Sequence, residues 1–256
     1  MKEFFGIGGY TRQPEGAYSW QHLLFVGSLL ISMIALAIIL GLINRKKEEN
    51  KKNIVLIWAA ILIDSFELLK IVIYCINAGT ALKILDELPL YLCSIQLITI
   101  PVAAFSKGRI KEAALDFVLI FGILGAVFGT IGAAQNYDAY PVLSFDNVVS
   151  GITHCISGFA SLYIGISGML KLKKENIWIC LSILGAFCIM AYIANLLLET
   201  NYMFLMRDDG TPYSIFYNLV KGNVVLYPLI VVLLFVIYII GFYYVYYLIT
   251  KKVNKK

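Results

Sequence analysis

The chain has 256 residues, 60% hydrophobic and only 14% charged, with a mean hydropathy of +0.82 and a formal net charge of +5. A soluble domain carries about a quarter charged residues, so this balance excludes a soluble globular enzyme, a disordered chain and a nucleic-acid-binding protein. A transmembrane β-barrel would alternate apolar and polar residues in segments of about ten, whereas the apolar runs here are continuous and near or above about 20 residues.

In chain order, residues 1–19 are polar and Gly-rich and are expected to form an extracytoplasmic segment, not a cleaved signal peptide. Seven runs long enough to span a bilayer follow, near 20–43, 54–77, 88–106, 111–133, 150–170, 176–198 and 224–250. The third is the shortest and contains Pro89 and Pro101, which predicts a kinked or tilted segment. The expected fold is all-α: a polytopic membrane domain of seven transmembrane helices over 20–250, ending in a basic tail at 251–256.

Basic residues set the orientation. Arg45, Lys46, Lys47, Lys51 and Lys52 follow the first run, and Lys107, Arg109 and Lys111 follow the third. Lys171, Lys173 and Lys174 follow the fifth, and the tail carries Lys251, Lys252, Lys255 and Lys256. These segments hold 15 of the 21 basic residues, and the opposite ones hold five. The positive-inside rule therefore places the N-terminus outside and the C-terminus in the cytoplasm, and the net charge of +5 reports orientation and contact with anionic headgroups.

Cys75, Cys93, Cys155, Cys180 and Cys188 all fall inside apolar runs, without C-x-x-C spacing. With only His22 and His154 beside them, no metal site and no cofactor is expected. Ionisable groups inside a bilayer are costly and face the bundle interior or a wet cavity. Asp64, Glu67 and Lys70 recur at i, i+3 on one face of the second run, a pattern that suits either an internal ion-pair network or a functional polar site. Tyr192, Asn195, Glu199 and Tyr202 form a stripe at the end of the sixth run. Ser150, His154, Ser157 and Ser161 share a face of the fifth. Gly122, Gly125, Gly129 and Gly132 in the fourth, including a GxxxG at 125–129, favour close helix packing. Asp116 alone sits toward the cytoplasmic end. The other polar groups, Cys93 and Gln96 among them, cluster in the outer half, which points to a polar cavity there.

A thiol is the most readily activated protein nucleophile, and an imidazole at similar depth is a suitable base. Cys93 and His154 are the candidates. Gln96 and Asn195 could supply oxyanion donors, and Glu67 or Glu199 could orient the histidine. The segment 199–223 is long for a loop, with a turn at Asp209-Gly210, and reads equally as a lid, a re-entrant piece or an ordinary interfacial loop.

The runs Phe66-Glu67-Leu68-Leu69-Lys70, Leu88-Pro89-Leu90-Tyr91-Leu92-Cys93, Thr153-His154 and Asn195 to Tyr202 occur in this order. Together they resemble the bacterial YwaF-like integral membrane proteins, grouped with the eukaryotic transmembrane protein 164 family. The resemblance implies a seven-span protein of the bacterial cytoplasmic membrane that transfers fatty acyl chains between phospholipids and lysophospholipids. By position, Cys93 would accept the acyl chain and His154 would be its base, while Glu67 and Lys70 match polar positions without an assigned role. The partners implied are membrane lipids, and no nucleic acid. The rival is a proton-coupled transporter in which Asp64, Glu67 and Lys70 relay charge. A retinal photoreceptor is disfavoured, because the last span has no lysine for a Schiff base.

Overall fold

A computed structural model of the chain describes residues 2–170 and 172–253, and among them all regular structure is helical. The helices are α1 (Trp20–Asn44), α2 (Glu49–Ala78), α3 (Gln96–Phe105), α4 (Gly108–Phe128) and α5 (Ala134–Ala139). They continue as α6 (Phe145–Ser167), α7 (Ile177–Leu198), α8 (Ser214–Leu219) and α9 (Leu226–Val253). Local chemistry sets several ends. The Ser19 and Ser144 hydroxyls cap α1 and α6 by accepting from the backbone N–H of His22 and Asn147. Gly79 and Gly168 close α2 and α6 in the left-handed region. Glu199 closes α7 at φ +56°, where glycine is the usual choice.

Among the described residues, four segments are long and apolar enough to cross a membrane: Trp20–Asn44, Phe145–Ser167, Lys174–Leu198 and Leu226–Ile249. They match the first, fifth, sixth and seventh expected spans. α2 and α4 have the length, 30 and 21 residues, but not the apolarity. Every stretch of 18 residues holds three or four charged residues in α2, Asp64 always among them, and at least Lys111, Glu112 and Asp116 in α4. The third expected span departs most, because only Gln96–Phe105 is helical. Pro89 biases Leu88 away from helix, and residues 90–95 run as an irregular turn. Of the basic tail expected at 251–256, the backbone of 251–253 ends α9, and the remainder lies outside the described residues.

The chain divides into two compact units, Met1–Pro89 with Gln96–Lys171 and Leu90–Ile95 with Leu172–Lys256. In the first, α6 is central: 56% of its apolar stretch is buried, against 17% for α1. It packs on α1, α2 and α4. Small residues make this possible. A Cβ on Gly122 would lie 2.6 Å from the Ser157 carbonyl oxygen, and one on Gly158 would lie 2.6 Å from Ala126 Cβ and 2.5 Å from Met33 Sδ. The Ser161 hydroxyl donates to the Leu119 carbonyl at 2.7 Å, so α4 and α6 are also hydrogen-bonded.

The N-terminal segment is folded onto this unit. Glu3 accepts from the Thr11 hydroxyl and from the backbone N–H of Thr11 and Arg12. Phe145 N–H donates to the Phe4 carbonyl, Glu15 accepts from Val142 N–H, Asp138 accepts from Ala17 N–H, and the Tyr10 hydroxyl donates to Asp146. Burial and the Asp146 carboxylate together raise the Tyr10 phenol above its ordinary value.

In the second unit α7 meets α9, with Cys180 Sγ 3.8 Å from the Tyr243 hydroxyl and both residues buried. The segment after α7 carries Tyr202, Met203 and Leu205, each no more than 1% exposed. It is therefore core of this unit, which settles 199–205 as a folded element.

Candidate functional site

Two of the second span's three charges, Glu67 and Lys70, form an ion triad with Glu87. Lys70 Nζ lies 2.6 Å from Glu67 Oε1 and 3.1 Å from Glu87 Oε2, with the three side chains 12–21% exposed. Glu67 and Lys70 follow from the i, i+3 spacing. Glu87, beyond the Ala81–Asp86 3₁₀ turn, was not expected. Burial pushes the Glu87 carboxyl above its ordinary range, and the Lys70 ammonium pulls against that shift. Asp64 is exposed and stands outside the triad's contacts.

The two histidines are used differently. His22 is fully buried and stacks on Tyr137 with ring centroids 3.8 Å apart. Tyr18 N–H donates to its Nδ1 at 2.9 Å, so the proton sits on Nε2, which faces the Thr130 carbonyl at 3.4 Å. It is a structural post. His154, on α6, is half-buried. Its Nδ1 lies 2.7 Å from the Ser150 carbonyl oxygen, with the Ser150 hydroxyl farther off at 3.4 Å. A carbonyl only accepts, so Nδ1 carries the proton and the lone pair resides on Nε2. The group on Nδ1 is thus a main-chain carbonyl, where Glu67 or Glu199 was expected. The Thr153 hydroxyl donates to the same carbonyl at 3.0 Å.

Gly129 flanks the imidazole. A Cβ built on it would fall 1.8 Å from His154 Cδ2 and 2.1 Å from Nε2. Its φ of −81° suits any residue, so the requirement is space. The GxxxG at 125–129 signals close contact with a neighbouring helix, and its second glycine makes that contact with the His154 ring of α6.

Gln96, at the start of α3, is fully buried. Its Oε1 accepts from the Thr99 hydroxyl at 3.1 Å, and its Nε2 has no hydrogen-bond partner among the described residues. A buried amide donor left unmatched costs about 1–3 kcal/mol and needs an explanation.

Cys93 belongs to the second unit and His154 to the first. Cys93 is half-buried in the turn at 90–95. Two residues before it, the Tyr91 ring stands edge-on to Tyr202 at 5.1 Å and tilted to Phe204 at 6.1 Å. Tyr202 is held in turn by Asn195, whose Oδ1 accepts from Tyr202 N–H at 2.6 Å and whose Nδ2 donates to the Tyr202 carbonyl at 3.0 Å. Asn195 Oδ1 also accepts from the Thr200 hydroxyl at 3.0 Å. The amide expected as an oxyanion donor is therefore committed at both ends to the turn after α7. Glu199 is exposed at that turn. Sequence reasoning missed Tyr91, whose position in the run Leu88–Cys93 was the available signal.

These features define a helical membrane protein of several spans with polar side chains fixed inside its helical units. The chain matches the model of the TMEM164 family over residues 17–249 and belongs to that family of membrane proteins. No curated protein and no solved structure matches it.

Proposed function

We propose that the protein is a Cys-dependent acyltransferase that moves fatty acyl chains between phospholipids and lysophospholipids. The observation that carries the reading is the setting of Cys93. Cys155, Cys180 and Cys188 are buried within α6 and α7, where a thiol packs as a small apolar group, and the half-buried Cys75 lies in α2 with its sulfur on the Ala81 carbonyl, whereas Cys93 stands on an irregular turn held by an aromatic contact. Membership of the TMEM164 family supports it further, through the acyl transfer that the resemblance implies.

In the first half-reaction His154 Nε2 takes the Cys93 thiol proton, and the thiolate attacks the ester carbonyl carbon of a phospholipid. The bond from carbonyl carbon to glycerol oxygen breaks, the imidazolium returns its proton to that oxygen, and a lysophospholipid leaves. In the second, the hydroxyl of another lysophospholipid attacks the thioester, its proton passes to His154, the C–S bond breaks, and the imidazolium returns that proton to the Cys93 sulfur. The transient oxyanion needs a donor, for which the Gln96 amide N–H is the candidate. Glu67 and Lys70 form a standing ion triad with Glu87, a role that takes from the transport reading two of the three charges it relied on and leaves Asp64.

The reading includes seven crossings, with α2, the segment 88–106 and α4 joining the four apolar helices, an outside N-terminus and a cytoplasmic C-terminus in a bacterial cytoplasmic membrane. The 15-to-5 division of basic residues supports this orientation. The test is acyl exchange in liposomes holding a phospholipid with a labelled acyl chain and an unlabelled lysophospholipid. Cys93→Ala should reduce transfer to the level of empty liposomes; full exchange by that variant would overturn the assignment.

A further inference from the structure

We infer that Gly129 and the Ser150 carbonyl are positioning groups that hold His154 as the Nδ1-protonated tautomer and so make Nε2 the proton-accepting atom. The inference rests on the acyl-transfer reading for its functional meaning, but its physical content stands apart from any activity.

Two independent contacts carry it. The first is the 2.7 Å approach of Nδ1 to the Ser150 carbonyl, one helical turn earlier on α6, which fixes where the proton sits. The second is the absence of a side chain at Gly129 on α4. The Cδ2–Nε2 edge of the ring occupies the space where a Cβ would stand, 1.8 and 2.1 Å away. Any other residue at 129 forces the ring to turn about χ1 or χ2, which breaks the Nδ1 contact and releases the proton to either nitrogen. Gly122 marks the contrast. It also lets α4 approach α6, but the atoms it admits are the Ser157 carbonyl and Ser161 Cβ, so its role is helix packing.

His22 supplies an internal reference. Its Nδ1 accepts from Tyr18 N–H, so the two imidazoles of this chain hold opposite tautomers. Because they are the chain's only histidines, their ring nitrogens can be resolved without crowding.

The experiment is nitrogen NMR of the full chain, labelled with ¹⁵N at its histidine rings, in lipid nanodiscs about two pH units above the ordinary histidine value of about 6.5. A His154→Gln sample gives the assignment. His22 should show a protonated Nε2 and His154 a protonated Nδ1; a neutral His154 carrying its proton on Nε2 overturns the inference. In Gly129→Ala the His154 signature should be lost and acyl exchange should fall about 100-fold, as expected for a displacement of about 1 Å. A second comparison guards against misfolding. Gly129→Ala placed in a His154→Ala background should melt at the same temperature as His154→Ala alone, because the clashing ring is gone. A double variant as destabilised as Gly129→Ala would make the glycine a general packing residue and overturn its assigned role. Failure of the acyl-transfer reading would appear separately, as full exchange by Cys93→Ala with the tautomers unchanged.

Discussion

The two units hold their reactive candidates by opposite means. In the first, His154 is oriented by a carbonyl one turn away in its own helix and given room by a missing side chain on the next helix. In the second, Cys93 rides on an irregular turn whose neighbour Tyr91 packs against Tyr202 and Phe204. That contact depends in turn on the Asn195 amide gripping both polar groups of the Tyr202 backbone. A base must point one atom in one direction, and a short rigid helix contact does that. A nucleophile that accepts a long acyl chain must be accessible, and a turn keeps it out of the close-packed helix faces where Cys155, Cys180 and Cys188 are buried.

The comparison can be broken most severely at the base. If His154 acts chemically, His154→Ala should lower acyl exchange by about 100- to 10,000-fold with the fold retained. A matching loss of thermal stability would instead make the histidine structural. Next comes the aromatic support of the thiol. Tyr202 is fully buried, so Tyr202→Ala should cost about 3–5 kcal/mol in unfolding experiments and should speed maleimide labelling of Cys93. A large stability loss with unchanged labelling would show that the clamp does not hold the thiol. Asn195→Ala should cost about 1–3 kcal/mol for each Tyr202 backbone group left unmatched, and it should raise Cys93 labelling in the same direction.

Smaller effects sharpen the contrast within the first unit. Lys70→Met leaves Glu67 and Glu87 facing each other; with side chains still 12–21% exposed, a loss of about 1–3 kcal/mol is expected, below the 3–5 kcal/mol of a fully buried pair. Restoring stability with Lys70→Met/Glu87→Gln would confirm that the triad is structural, and no recovery would refute it. The mildest is a pH effect on the N-terminal fold. Hydrogen bonds from Thr11 and Arg12 hold the Glu3 carboxyl below its ordinary value of 4.5. A depressed acid stabilises the fold above 4.5 and loses that contribution as pH falls through its folded value. Hydrogen exchange at Thr11 and Arg12 should therefore quicken only below pH 4.5, and equal protection on both sides of that pH would contradict it.

Much of the architecture is legible in the residues because apolar runs of helical length leave few alternatives. α1, α7 and α9 begin or end within a few residues of the expected spans. The segment 88–106 was less legible. Hydropathy measures apolar content and not conformation, so Leu90 to Ile95 read as span although Pro89 and the contacts of Tyr91 hold them in a turn. The charged stripe of α2 was readable as a pattern, but Glu87 was not, since its approach to Lys70 depends on how the chain turns back after Gly79. The same limit applies to Asn195. Its position in a stripe with Tyr202 was visible, yet only the left-handed turn at Glu199 folds Tyr202 back onto its amide. The small size of Gly129 is legible as a signal for close contact with a neighbour, but that the contact is the His154 ring is not. Residues 2–19 were read as a polar segment, because the bonds that fix them go to residues 138–146 and to Asn77.

The central claim is that Cys93 carries the acyl chain, and the most direct measurement is intact-mass spectrometry of the protein after brief incubation with phospholipid. The account predicts a single acyl adduct that maps to the peptide containing Cys93, is released by neutral hydroxylamine, and is missing from Cys93→Ala. An adduct that persists in Cys93→Ala, or maps to another cysteine, would contradict it.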